Sequence, residues 1–209
     1  MIRPDVVFDY DPTYSEDYPT VYRCMAFADV AGFTSYTHKS GTHAAARLLE
    51  LFRSQVRATT GRHAIRVAKW LGDGVMLVGT DSPSVLAALT ELVTTARDHG
   101  YEIHCGASAG QVIIFEGDDY LGRIVNIAAR LCDNAKPNHI LTYQIKPEII
   151  TPYDPQYESC HLRLKGIGEI TGVLEINPAY SAAFASTGAP TASGSKRTPP
   201  ASSPATEDQ

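Results

Sequence analysis

The chain has 209 residues, 44% hydrophobic and 20% charged, enough for one globular domain with a substantial core. Its net charge of −5 gives no basic footprint for nucleic acid, and no apolar stretch reaches the length of a membrane span. The four cysteines, Cys24, Cys105, Cys132 and Cys160, show neither C-x-x-C spacing nor a zinc-like pattern with histidine; free thiols in a reducing compartment are expected, with Cys24 and Cys105 buried in strands.

Residues 1–20 are acidic and tyrosine-rich, with Pro4, Pro12 and Pro19, and read as an extended arm. The N-terminus lacks the apolar core of a signal peptide, so a cytoplasmic location is expected. The run 21–30 is the first strand. A helix follows over 34–60, broken near Ser40-Gly41, with Ala44, Leu48, Leu51, Phe52 and Val56 on its apolar face. Arg47, Glu50, Arg53 and Arg57 fall on the other side and read as a solvated face. Strands are expected over 63–71 and 74–80, joined by the tight turn Leu71-Gly72-Asp73-Gly74.

Pro83 opens a second helix that runs to Asp98. A strand over 101–110 is continued by, or paired with, 111–115. Residues 116–119 form a turn, and 123–135 a helix stopped by Pro137. A short strand over 139–143, a short helix over 144–149 and strands over 157–164 and 172–176 close the domain. Residues 179–209 are rich in Ser, Ala, Pro and Thr and are expected to be disordered. Hairpins alternating with helices argue an α+β fold, a mostly antiparallel sheet covered by helices, over residues 21–178.

Three groups carry chemistry. Asp29 ends an apolar strand just before a helix start, so its carboxylate can hold a hard cation while the backbone N–H groups around Ala31, Gly32, Phe33 and Thr34 cradle phosphate. Asp73 sits in a hairpin turn; if the two strands are neighbours, the two acids converge as in a two-metal site. Lys69 interrupts an apolar strand four residues before Asp73. Asn126 and Arg130, four apart, share one helix face, and Arg offers a fixed fork of donors for phosphate oxygens.

The segments FADVAGFT (27–34), KWLGDG (69–74), GASAGQV (106–112), GDDYLGRIVNIAARL (117–131) and LKGIGEI (164–170) occur in this order. Together they resemble the catalytic domain of the class III adenylate/guanylate cyclases, over roughly residues 22–176. The resemblance implies a cyclase (ferredoxin-like) catalytic domain, a homodimer with composite active sites, and two Mg²⁺ or Mn²⁺ ions per site. It implies that Asp29 and Asp73, with Val30 in the metal set, bind the ions. Asn126 orients the ribose, Arg130 meets the charge developing at the α-phosphate, and Lys165 is the candidate for the terminal phosphates. Lys69 and Asp119 match the base-reading pair.

Lys donates to adenine's acceptor ring nitrogen and Asp accepts from its amino group; guanine would mismatch both, which favours ATP. Cytosine shows adenine's pattern on a smaller ring, so a cyclase of another nucleotide, CTP or GTP, stays open as an alternative. A catalytically silent regulatory domain is the other alternative, although neither metal acid nor the Asn/Arg pair is missing. The chain departs from many relatives at Ile167, where they carry another basic residue. It also departs at Trp70, expected to point away from Lys69 into the core, and in a short 111–119 segment that implies a shorter dimer-clasping arm.

Overall fold

The structure is a computed structural model and describes residues 19–117, 119–154 and 156–178. The arm ahead of these residues and the Ser/Ala/Pro/Thr-rich tail lie outside them. Strand β1 (Thr20–Val30) is followed by α1 (Phe33–Ser40), α2 (Thr42–Arg62), the hairpin β2 (Arg66–Leu71) and β3 (Gly74–Gly79), and α3 (Ser82–Asp98). Then come β4 (Ile103–Phe115), β5 (Asp119–Leu121), α4 (Arg123–Asn134), β6 (Ile140–Tyr143), α5 (Pro147–Ile150), β7 (Glu158–Leu164) and β8 (Gly168–Ile176).

The strands form one sheet in the order β2-β3-β1-β4-β6-β8-β7, with β5 folded back on β4. Each pairing is antiparallel except β4 with β6. Period-2 alternation then decides which side chains meet which helices. On β1, Cys24, Ala26, Ala28 and Val30 join a core built with Phe52 and Val56 of α2 and Leu86, Leu89 and Leu92 of α3. Met25 and Phe27 point the other way and pack with Ile124 and Ala128 of α4. Asp29 has the same parity as Met25 and Phe27, so it belongs to the α4 face.

Helix α4 lies close to the sheet because Gly106 lets it. A Cβ there would meet Cys132 N at 2.2 Å and Ala128 O at 2.3 Å, both backbone atoms that cannot yield. The close approach buries Ile127 and Leu131 and leaves Asn126 and Arg130 exposed.

Several local expectations need correction. His63 is not in a strand: it caps α2, with its N–H on Thr59 O, and β2 begins at Arg66. Strand β8 starts at Gly168, four residues before the expected Gly172. Asp119 belongs to a strand, β5, rather than to the turn before it. The break between α1 and α2 falls where it was expected, at Gly41, whose φ of 82° is costly for other residues. All four cysteines are free, and Cys24, Cys105 and Cys132 are buried. Burial pushes the Cys24 thiol up to about 12, so it is inert as a nucleophile at neutral pH. Among the described residues no helix is long and apolar enough to cross a membrane.

Candidate active site

The two acids meet at one end of the sheet. Strands β1 and β3 pair in a register that sets Asp29 opposite Gly74, and the Val30 N–H donates to Asp73 O at 3.3 Å. Asp73 therefore sits in the two-residue turn beside Asp29. Positive φ at Gly72 (65°), but not at Asp73, fits a hairpin with Gly at its first central position. Burial raises the Asp29 carboxyl above its ordinary range, the charge of Asp73 raises it further, and His104 works in the opposite direction. Like charges held this close are the electrostatic condition that a cation relieves.

Among the described residues no group of three or more His, Cys, Asp or Glu side chains converges as a metal-ligand set. The acid pair nevertheless fits a hard divalent ion. Mg²⁺ typically takes one or two carboxylates and completes its octahedron with water and substrate phosphate oxygens. Val30 is buried, so only its backbone can take part.

At the start of α1 the expected phosphate cradle is smaller than the sequence suggests. The Ala31 N–H donates to Glu102 O at 2.9 Å. The cradle thus begins at Gly32, the αL N-cap, and continues through Phe33 and Thr34. These first-turn donors have no partner within the helix. Phe33 packs on the core, which fixes the loop, and Thr34 is exposed.

Lys69 and Asp119, fifty residues apart, form an ion pair: Nζ lies 2.7 Å from Oδ2. A bulge between Val67 and Lys69 sets Lys69 opposite Met76, on the α4 face, and strand β5 brings Asp119 alongside. The hydrogen bond from Lys69 holds the Asp119 carboxyl below its ordinary range, helped by the Tyr120 N–H. Both side chains remain about 40% exposed, open to a ligand.

Asn126, Arg130 and Lys165 line one cavity of about 310 Å³ with Ala129, Gly166 and Ile167. The β7–β8 turn thus carries Lys165 to the α4 face. Arg130 also lines a second cavity, of about 250 Å³, with Asp29, Leu71 and Asp133. Its guanidinium lies 2.7 Å from Asp133 Oδ2. A larger cavity among the described residues, about 750 Å³, opens between α2, the end of α3 and the start of β4; Val30 and Ala31 line it, but Asp29, Asp73, Lys69, Asp119, Arg130 and Lys165 do not.

Two residues at the site were missed. His104 faces Asp29 across β1–β4; its Nε2 is 3.5 Å from Asp29 Oδ2, and its Nδ1 lies 2.7 Å from Cys132 O. Nothing in the local sequence flags it, because only sheet register brings it there. Asp133 was legible as the i+3 neighbour of Arg130.

A mostly antiparallel sheet with an acid pair at one strand end and an Asn/Arg helix beside it is the architecture of the adenylate/guanylate cyclase catalytic-domain fold. By sequence the chain is similar to bacterial adenylate cyclases, and its fold is shared with solved adenylate and guanylate cyclase domains. An adenylate/guanylate cyclase/hydrolase of Silicibacter pomeroyi superposes with a TM-score of 0.67 at 19% identity, over 77% of this chain and 98% of that one. An adenylate cyclase of Glutamicibacter nicotianae is 30% identical over 122 residues, 57% of this chain and 30% of that protein. An uncharacterized protein of Mycobacterium tuberculosis is 30% identical over 171 residues, 81% of this chain and 45% of its own length. The chain thus spans less than half the length of these two sequence relatives. No protein-family profile matches it.

Proposed function

We propose that the chain is an adenylate cyclase, converting ATP to 3′,5′-cyclic AMP and pyrophosphate at sites shared between two copies. The Lys69–Asp119 ion pair carries the reading. It sets a donor beside an acceptor, half exposed, which is the pattern that adenine's Watson–Crick edge complements and guanine's opposes.

Asp29 and Asp73 would hold two Mg²⁺ or Mn²⁺ ions. Bound there, the ions supply Lewis acidity that lowers the pKa of the ribose 3′-hydroxyl and neutralises the triphosphate. The chain's own residues do the rest. Asn126 orients the ribose. Arg130 swings from Asp133 to the α-phosphate and meets the charge that develops there. Lys165 and the N–H groups of Gly32, Phe33 and Thr34 receive phosphate oxygens. The 3′-hydroxyl gives its proton to solvent water as its oxygen attacks the α-phosphorus, the bond to the bridging oxygen breaks, and pyrophosphate departs with that electron pair.

A second copy supplies the missing wall. The cavities beside Asn126 and Asp29 are about 310 and 250 Å³ in one chain. Small-molecule sites span about 300–1,000 Å³, so one cavity lies at the lower limit and the other below it. Head-to-tail pairing would bring Asp29 and Asp73 of one copy against Lys69, Asp119, Asn126 and Arg130 of the other, and so build two equivalent sites.

The test is product formation by the purified chain with Mn²⁺ and each of ATP, GTP, CTP and UTP, resolved by chromatography. Cyclic AMP as the main product is expected. Cyclic CMP would keep the mechanism and assign base choice to pocket depth, since cytosine shares adenine's hydrogen-bond pattern. No cyclic product from any nucleotide, with nucleotide binding that survives Asp73→Ala, would overturn the reading in favour of a silent regulatory domain.

A further inference from the structure

Trp70 is the only tryptophan of the chain, and it does not simply fill the core. It packs against the main cluster, and two guanidiniums of α2 lie over its ring, Arg53 at 5.1 Å and Arg57 at 5.2 Å from the centroid. Arg53 and Arg57 are therefore not an idle solvated face. Arg53 goes further: its Nη2 donates to Gly72 O at 3.2 Å. Its Nε is enclosed without a hydrogen bond among the described residues, so its polar hold on the hairpin passes through Nη2.

The consequence follows from where these contacts fall. Gly72 immediately precedes the acid Asp73, and Trp70 immediately follows Lys69. The turn is also held by the Val30 N–H on Asp73 O, while Gly72 and Leu71 are exposed, so the Arg53 bond is the side-chain tie on its outer side. We infer that Arg53, stacked on Trp70 and bonded to Gly72 O, is a positioning residue that sets Asp73 against Asp29. The inference rests on the two-metal reading of that acid pair. Arg57 shares the stacking without that bond, so it serves as an internal control. Outer-shell groups that orient a metal ligand typically change metal affinity by about 10–100-fold when removed.

The test uses the full chain and the variants Arg53→Ala, Arg53→Lys and Arg57→Ala. Free Mn²⁺ is counted by electron paramagnetic resonance, with and without a non-hydrolysable ATP analogue, and Trp70 emission reports the hairpin in the same samples. Arg53→Ala is expected to raise the half-saturating Mn²⁺ concentration about 10-fold. Arg53→Lys is expected to recover part of that loss, and Arg57→Ala to leave it within about twofold while still changing Trp70 emission. Equal effects of Arg53→Ala and Arg57→Ala, or a lowered melting temperature with unchanged Mn²⁺ affinity, would reduce Arg53 to a packing residue. A wild-type chain that binds no Mn²⁺ would overturn the inference along with the metal site. Mn²⁺ binding without any cyclic product would sink the cyclase reading and leave the positioning result standing.

Discussion

A Cβ placed on Gly74 would lie 2.7 Å from Asp29 Oδ1 and 3.3 Å from Ala28 O. The bare backbone at the start of β3 is what lets the Asp29 carboxylate lie across the strand end. Gly74 has no positive φ, so its reason for being glycine is space rather than conformation. Gly74→Ala is expected to fold and to push the carboxylate aside. Misplacing a reacting group by about 1 Å can cost about 100-fold. Steady-state kinetics should show kcat/KM for ATP falling by that order, while the melting curve moves little. A Gly74→Ala enzyme with wild-type kcat/KM would show that the carboxylate has room to adapt.

The Lys69–Asp119 pair makes a prediction about substrate choice. Reversing the code with Lys69→Glu and Asp119→Cys removes the donor and the acceptor that adenine needs. ATP kcat/KM is expected to fall at least about 100-fold, because a site built to hydrogen-bond a base rejects one that leaves its groups unpaired. GTP turnover should rise relative to ATP, which competition between the two nucleotides reads directly. Unchanged preference would move base reading elsewhere in the dimer interface.

The acid pair predicts opposite effects on stability and activity. Asp29 is raised by burial first and by Asp73 next, so its ionised form is disfavoured in the fold. A raised carboxyl loses folded-state stability as pH climbs through its folded pKa. Removing the Asp73 charge lowers that pKa and should stabilise the metal-free fold at neutral pH. For charges this exposed the gain is about 0.2–1 kcal/mol. Asp73→Asn should therefore melt slightly higher than wild type without metal and turn over nothing. Mn²⁺ should raise the melting temperature of wild type and not of the variant, since only binding to the folded state stabilises it. A destabilised Asp73→Asn would argue that the carboxylate makes a structural bond its charge conceals.

Much of this was legible because local chemistry and global fold agree. Apolar runs over 21–30 and 74–80 gave the strand that ends in Asp29 and the strand that follows Asp73, and the i, i+4 spacing of Asn126 and Arg130 gave the polar face of α4. What was illegible depends on register and close approach. The three residues of β5 carry too short a pattern to read, yet they deliver Asp119 to Lys69. His104 reaches Asp29 only through β1–β4 pairing. Arg53 and Arg57 sit on what the helix wheel calls the solvent side, and only the position of Trp70 on the neighbouring strand gives them a partner. A helix wheel separates faces but does not say which face a sheet edge will meet.

Away from the site, Glu91 of α3 ties the end of α2 to its neighbour on the same face of the sheet. It accepts from Thr59 Oγ1 at 2.9 Å, lies 2.7 Å from His63 Nε2, and pairs with Arg62. The Arg62 bond, then those of His63 and Thr59, outweigh desolvation and hold its carboxyl at about 2, below an ordinary 4.5. A depressed carboxylate contributes stability that is fully present above its unfolded pKa. That stability is lost as pH falls through the folded value. The window is therefore about pH 4.5 down to 2. Glu91→Gln should cost about 1 kcal/mol at pH 7, a modest figure because Arg62 is largely exposed and the pair is screened. Urea unfolding of wild type and variant at a series of pH values makes the comparison. Every other carboxylate titrates in both proteins and cancels in the difference, so the gap between them should close across that window and shrink in high salt. A gap that persists at pH 2.5 and in 1 M salt would assign the role of Glu91 to packing between α2 and α3 rather than to its charge.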